Sequence, residues 1–122
     1  MNSKTHKNLH VWKSGIELVT RVYIFSNNLP REEQFGLISQ MRRAAVSVSA
    51  NIAEGAARRS TKEFIRFLYI SMGSCSELET LLVIAKNIYG HDTMELQLKI
   101  DEINRMLIAL VAALKRKLEQ SN

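Results

Sequence analysis

The feature that most limits what this chain can become is how seldom it is interrupted. One proline, Pro30, and five scattered glycines stand in 122 residues. Between those breaks apolar side chains recur every three or four positions, the repeat of an amphipathic helix and not the alternation of a strand. Trp12, Ile16, Val19 and Tyr23 follow this spacing along a first helix, expected over about residues 10–26. Asn27, Asn28 and Pro30 close it, because asparagine favours turns and proline cannot extend the hydrogen-bond ladder. A second helix is expected over 32–54, with Glu32 and Glu33 at the positive end of its dipole and Gly55 as its stop. Its seam is Ile38, Met41, Ala45, Val48 and Ile52, with Arg42 and Arg43 beside it.

Ser60 followed by Glu63 reads as an S-x-x-E capping box, so a third helix is expected over 61–89. It carries two apolar stripes: Phe64, Leu68, Cys75, Leu78, Leu82, Ala85 and Tyr89 on one, and Phe67, Ile70, Leu81, Ile84 and Ile88 on the other. Two stripes require two neighbours. Gly90 and Asp92 supply the next stop and cap. A fourth helix follows over 93–119, seamed by Leu96, Ile100, Ile103, Leu107, Leu110, Leu114 and Leu118 and closed by Lys115, Arg116 and Lys117 at the negative end of its dipole. Four long helices with short loops predict an all-α, antiparallel up-down-up-down four-helix bundle forming a single domain over 1–122.

Composition narrows the setting. A lone cysteine, Cys75, cannot close an internal disulfide, and the start of the chain lacks the apolar run of a secretory signal, so a cytoplasmic protein is expected. The longest apolar run, 106–114, falls well short of the roughly 20 residues that cross a bilayer, and no membrane partner is expected. Seventeen Lys and Arg face twelve Asp and Glu, for a net charge of +5 and a pI near 9.6. Residues 1–59 hold nine basic and four acidic groups, whereas 60–122 hold eight of each. A local basic excess of this kind attracts polyanions.

Three groups of residues are candidates for function. Arg58 and Arg59 in the loop, with Lys62 and Arg66 on the first turns of the next helix, combine guanidinium groups with the free N–H groups of a helix start and are the candidate phosphate-binding set. An antiparallel hairpin folding near 55–60 places Ala44 and Ala45 opposite Gly73 and Ser74, which accounts for the small residues by close packing. The same register brings Arg42 or Arg43 towards Glu77, either as a partly buried structural ion pair or with Glu77 simply facing solvent. Ile65, Tyr69 and Val83 lie off the seams and are candidates for an oligomer interface.

Catalysis finds little support. His6 and His10 lie at the start of the chain, His91 is in a loop, and Cys75 sits on an apolar seam as a small hydrophobe. The Glu-x-x-His motif of di-iron bundles is absent, as are both glycine-rich phosphate loops, so no catalytic residue, metal or cofactor is expected.

With the helices placed, Phe35-Gly36-Leu37, Gln40-x-Arg42-Arg43-Ala44, Asn51-Ile52-Ala53-Glu54-Gly55, Glu63-Phe64 and Glu77-Leu78-Glu79 form a specific combination. The chain resembles the four-helix bundle family of 23S ribosomal RNA intervening-sequence proteins, labelled in places as ribosomal proteins. The resemblance is strong over about Leu9 to Tyr89 and rests on the heptads alone in the fourth helix. It implies a bundle assembled as a homopentameric ring, and the family is similar to the accessory protein of diversity-generating retroelements. Ser49 stands where a proline is common in the family, which implies a less kinked second helix. The resulting expectation is a non-enzymatic, basic, oligomeric bundle that binds nucleic acid, RNA before DNA, with low sequence specificity. The rival expectation is an oligomeric scaffold for another protein, its basic surface incidental.

Overall fold

The computed structural model, which describes residues 6–121, holds four α-helices and, among the described residues, no strand. They are α1 (His10–Ser26), α2 (Leu37–Ala56), α3 (Thr61–Tyr89) and α4 (Met94–Ser121). Positions 1–5 and 122, the extremes of the domain expected over 1–122, lie outside the described residues. Helices α1 and α3 span the expected ranges, and α4 starts one residue and ends two residues later than expected.

Helix α2 departs from expectation at both ends. Its start is delayed because Arg31–Glu33 form a separate 3₁₀ turn, and Gly36 takes φ −112° and ψ −111°, outside any helical conformation. The Glu33 carboxylate then accepts the Leu37 N–H at 3.2 Å, satisfying one of the free donors at the true helix start. At the other end Gly55 is not the stop. It is buried within the last turn, and the helix runs on to Ala56.

Each helix packs on its sequence neighbours, and α4 returns to α1; α1 and α3 make no close backbone approach, nor do α2 and α4. The core is continuous through all four, from Leu18 and Val22 through Met41, Val48 and Ile52 to Leu68, Leu78 and Leu82 and on to Ile100, Ile103 and Leu107. In α1 the buried face is one residue away from the expected one: Val11, Gly15, Leu18, Val22 and Ser26 are buried, while Ile16 and Tyr23 are 44% and 42% exposed. A glycine and a serine on that face hide it from a count of apolar residues.

Helices α2 and α3 approach most closely. Ser71 Oγ donates to the Val48 carbonyl at 2.8 Å, and Ser74 Oγ donates to Ser47 Oγ at 2.8 Å. Gly55 lies so close to α3 that an added Cβ would stand 2.7 Å from the Cβ of Phe67. Gly73, expected at this contact, instead faces open space. Helix α3 is also long and apolar enough by composition to cross a membrane. Its contacts with α2 and α4 bury part of that apolar surface, but the second expected stripe packs only through Phe67 and Leu81, while Ile70, Ile84 and Ile88 are exposed.

Candidate nucleic-acid interface

The turn between α2 and α3 is short because a cap starts α3 at once. Ser60 has extended backbone, and its Oγ accepts the Glu63 N–H at 3.0 Å. The reciprocal half of the capping box is absent: the Glu63 carboxylate pairs with Arg66, at 3.1 Å from Nε. Arg58 pairs with Glu54 at 2.7 Å. Both guanidiniums also lie against the Phe67 ring, Arg58 at 5.0 Å and Arg66 at 4.6 Å from its centroid. The hydrogen bond from Arg66 holds the Glu63 carboxyl below its ordinary range and raises Arg66 in turn.

The four candidate phosphate ligands therefore divide. Arg59 and Lys62 are exposed and have no side-chain partner among the described residues. Arg58 and Arg66 each carry a carboxylate, though in ion pairs exposed enough that an incoming phosphate competes at small cost.

Sequence reasoning missed the contribution of α4. Its basic tail comes to this same end of the bundle. A cleft of about 470 Å³ is lined by Arg58, Arg59, Ser60 and Thr61 from the turn, by Leu110, Ala113, Leu114 and Lys117 from α4, and by Leu9 and Phe64. On the adjoining face Lys115 donates to the Tyr69 hydroxyl at 2.8 Å and lies 5.4 Å from its ring centroid. Residues 6–13, 54–69 and 109–121, which meet at this end, hold nine basic and three acidic groups; the intervening segments 14–53 and 70–108 hold seven basic and nine acidic. The asymmetry is spatial, and dividing the chain at Arg59 understates it. The missed signal was Lys115-Arg116-Lys117, read only as partners of the α4 dipole.

The expected structural ion pair does not form. Arg42 donates from Nε to Ser26 Oγ and from Nη2 to Asn27 Oδ1, both at 2.9 Å, and lies 4.3 Å from the Tyr23 centroid. It is drawn to α1, on the opposite side of α2 from Glu77. Glu77 is exposed, and neither it nor Arg43 has an ion-pair partner among the described residues, although both line a recess with Gln40. The interface candidates also divide. Ile65 is 8% exposed and belongs to the core, whereas Tyr69 and Val83 are 47% and 44% exposed. Position 65 packs into the core although it lies off both expected α3 stripes. Among the described residues no three of His, Cys, Asp and Glu converge as metal ligands.

A four-helix protein with one strongly basic end is the class that fold and surface define. The 23S rRNA-intervening sequence protein model matches residues 7–109, and the chain belongs to that family. Its fold is similar to the crystal structure of a protein of unknown function from the S23 ribosomal protein family of Bacteroides thetaiotaomicron, with a TM-score of 0.76 and 25% identity. That likeness covers 83% of this chain and 97% of the other. No curated protein matches the chain.

Proposed function

We propose that this protein is a non-enzymatic, basic, oligomeric bundle that binds structured RNA in the cytoplasm through phosphate contacts, with low sequence specificity. The observation that carries the reading is the convergence of two basic segments, distant in sequence, on one cleft: Arg58 and Arg59 from the α2–α3 turn and Lys117 from the tail of α4. Lys62 and Arg66, exposed one turn apart on the start of α3, add further cations at this end for phosphate contacts. The family name ties such proteins to an intervening sequence of 23S rRNA, which favours RNA over DNA. Few aromatic rings are exposed at this end, so readout by base stacking is not expected.

The bundle is taken as antiparallel and up-down-up-down. Contacting pairs support this: residue numbers rise on one helix as they fall on its neighbour, as in Val48 with Ser71 and Gly55 with Phe67, or Glu17 with Lys99 and Arg21 with Glu95. Assembly as a ring of five would array one basic end per subunit and multiply modest contacts by avidity.

A second reading, a scaffold for another protein, draws on the opposite end. Phe35, Ile24, Ile88, Leu98 and Met94 are all exposed there, Phe35 at 91%. A surface of that kind suits protein contact, with a copy of this chain or with another partner.

Fluorescence anisotropy of a labelled structured RNA, titrated at several salt concentrations, separates the readings. The expected result is a steep log–log salt dependence that flattens in Arg58→Ala/Arg59→Ala by about 0.9 per lost phosphate contact. No binding at low salt would remove the nucleic-acid reading and leave the scaffold.

A further inference from the structure

At the end of the bundle away from the basic cleft, a notch of about 270 Å³ opens between the 3₁₀ turn and α2. Asn27, Arg31, Gln34 and Arg42 line it above the buried Leu29 and Ile38. Arg42 is the fixed element. Ser26 Oγ, Asn27 Oδ1 and the Tyr23 ring hold its guanidinium from three directions, and Ser26 is itself buried and anchored to the Tyr23 carbonyl at 3.1 Å. These partners are all neutral. They occupy Nε and one hydrogen of Nη2, leaving the Nη1 hydrogens and one more on Nη2 to donate.

Among the described residues no carboxylate lines the notch. Glu32, next to Arg31 in the chain, is exposed and does not line the notch, and Glu33 is turned to the Leu37 N–H and the Tyr89 hydroxyl. The side chains of Arg31 and Gln34 have no partner among the described residues. The site thus gathers two guanidiniums and an amide, all with donors to spare, around a half-buried cation that lacks a counter-charge. Guanidinium pairs are suited to tetrahedral and planar oxyanions, which accept several parallel N–H bonds at once.

We propose that this notch binds a phosphate group, with Arg42 as the preorganised ligand and Arg31 and Gln34 closing over it. The phosphate is either free or the terminal monoester of a nucleotide chain. The site is independent of the basic cleft and stands whether or not that cleft binds RNA.

The test follows the Arg42 Nε–H resonance by NMR while inorganic phosphate is added at constant ionic strength, with chloride as the control. Saturable movement under phosphate and none under chloride is the expected result. Arg31→Ala, which alters an exposed side chain with no hydrogen bond or ion pair among the described residues, is expected to weaken binding about tenfold or more, the loss of a charge-assisted contact. Arg58→Ala/Arg59→Ala is expected to leave it unchanged. A 5′-phosphorylated trinucleotide that binds more tightly than inorganic phosphate would identify a nucleic-acid end as the source, and weaker binding would identify the free anion. Equal movement under chloride, equal binding by the 5′-hydroxyl trinucleotide, or full affinity in Arg31→Ala would overturn the proposal.

Discussion

Two glycines show how residue type acquires meaning only from its surroundings. Gly73 looks, from sequence, like the position where two helices approach, since glycine in a helix otherwise costs roughly 1 kcal/mol against alanine. It is exposed, with nothing within 4 Å of an added Cβ. Gly55 looks like a helix stop and is instead the close contact, where a Cβ would meet Phe67 Cβ at 2.7 Å and the Phe64 carbonyl at 3.2 Å. The two substitutions should therefore act in opposite directions. Gly73→Ala is expected to stabilise the fold by about 0.4–1 kcal/mol through the unfolded chain. Gly55→Ala should destabilise it by about 1–3 kcal/mol, because the obstructing atoms belong to backbone and Cβ positions that cannot swing aside. Urea unfolding of the two variants beside the parent checks both signs. Cys75 agrees with its reading as a small hydrophobe: it is fully buried, and burial pushes its thiol up to about 12.

At the level of elements, the helices were legible wherever period and punctuation agreed. Ser60 and Gly90 mark the ends of α3, Gly90 through a left-handed φ of 74° that bonds its N–H back to the Lys86 carbonyl. Punctuation failed at α2, where Glu32 and Glu33 suggested a helix start that the Gly36 backbone postpones. It also failed for the buried face of α1, because Gly15 and Ser26 face the core without being apolar. The cap of α3 carries a definite expectation. Ser60→Ala removes the acceptor of the Glu63 N–H and should cost about 1 kcal/mol, while Ser60→Asp should retain most of the stability. Thermal unfolding of the pair distinguishes lost capping from a general intolerance of substitution at the turn.

For the whole molecule, the candidate site was half legible. Arg58, Arg59, Lys62 and Arg66 are contiguous enough to find by reading, but their meeting with Lys117 depends on where α4 ends in space. The mistaken pairing of Arg42 with Glu77 has the same origin. Register along one hairpin says which residues are level, not towards which neighbour a side chain leans. Ion pairs between helices also make stability depend on pH. Lys99, by hydrogen bond and then by charge, holds the Glu17 carboxyl below 4.5, with Arg21 adding to the effect. The Tyr89 hydroxyl does the same to Glu33, and Arg66 to Glu63. A carboxyl whose pKa is depressed on folding contributes stability that is present above its unfolded value and lost as pH falls through the folded one. Tyr89 and Lys99 are raised from 10.0 and 10.5, so their share is present below those values and lost above them. The melting temperature should therefore hold level between about pH 5 and about pH 10 and decline on both sides, gently, since these groups are largely solvated. Calorimetry across that range tests the shape, and Glu17→Gln should flatten the acid limb by removing the residue that bridges α1 to α4 through Lys99. An acid limb unchanged in Glu17→Gln would mean that this contact does not hold α1 against α4 in solution.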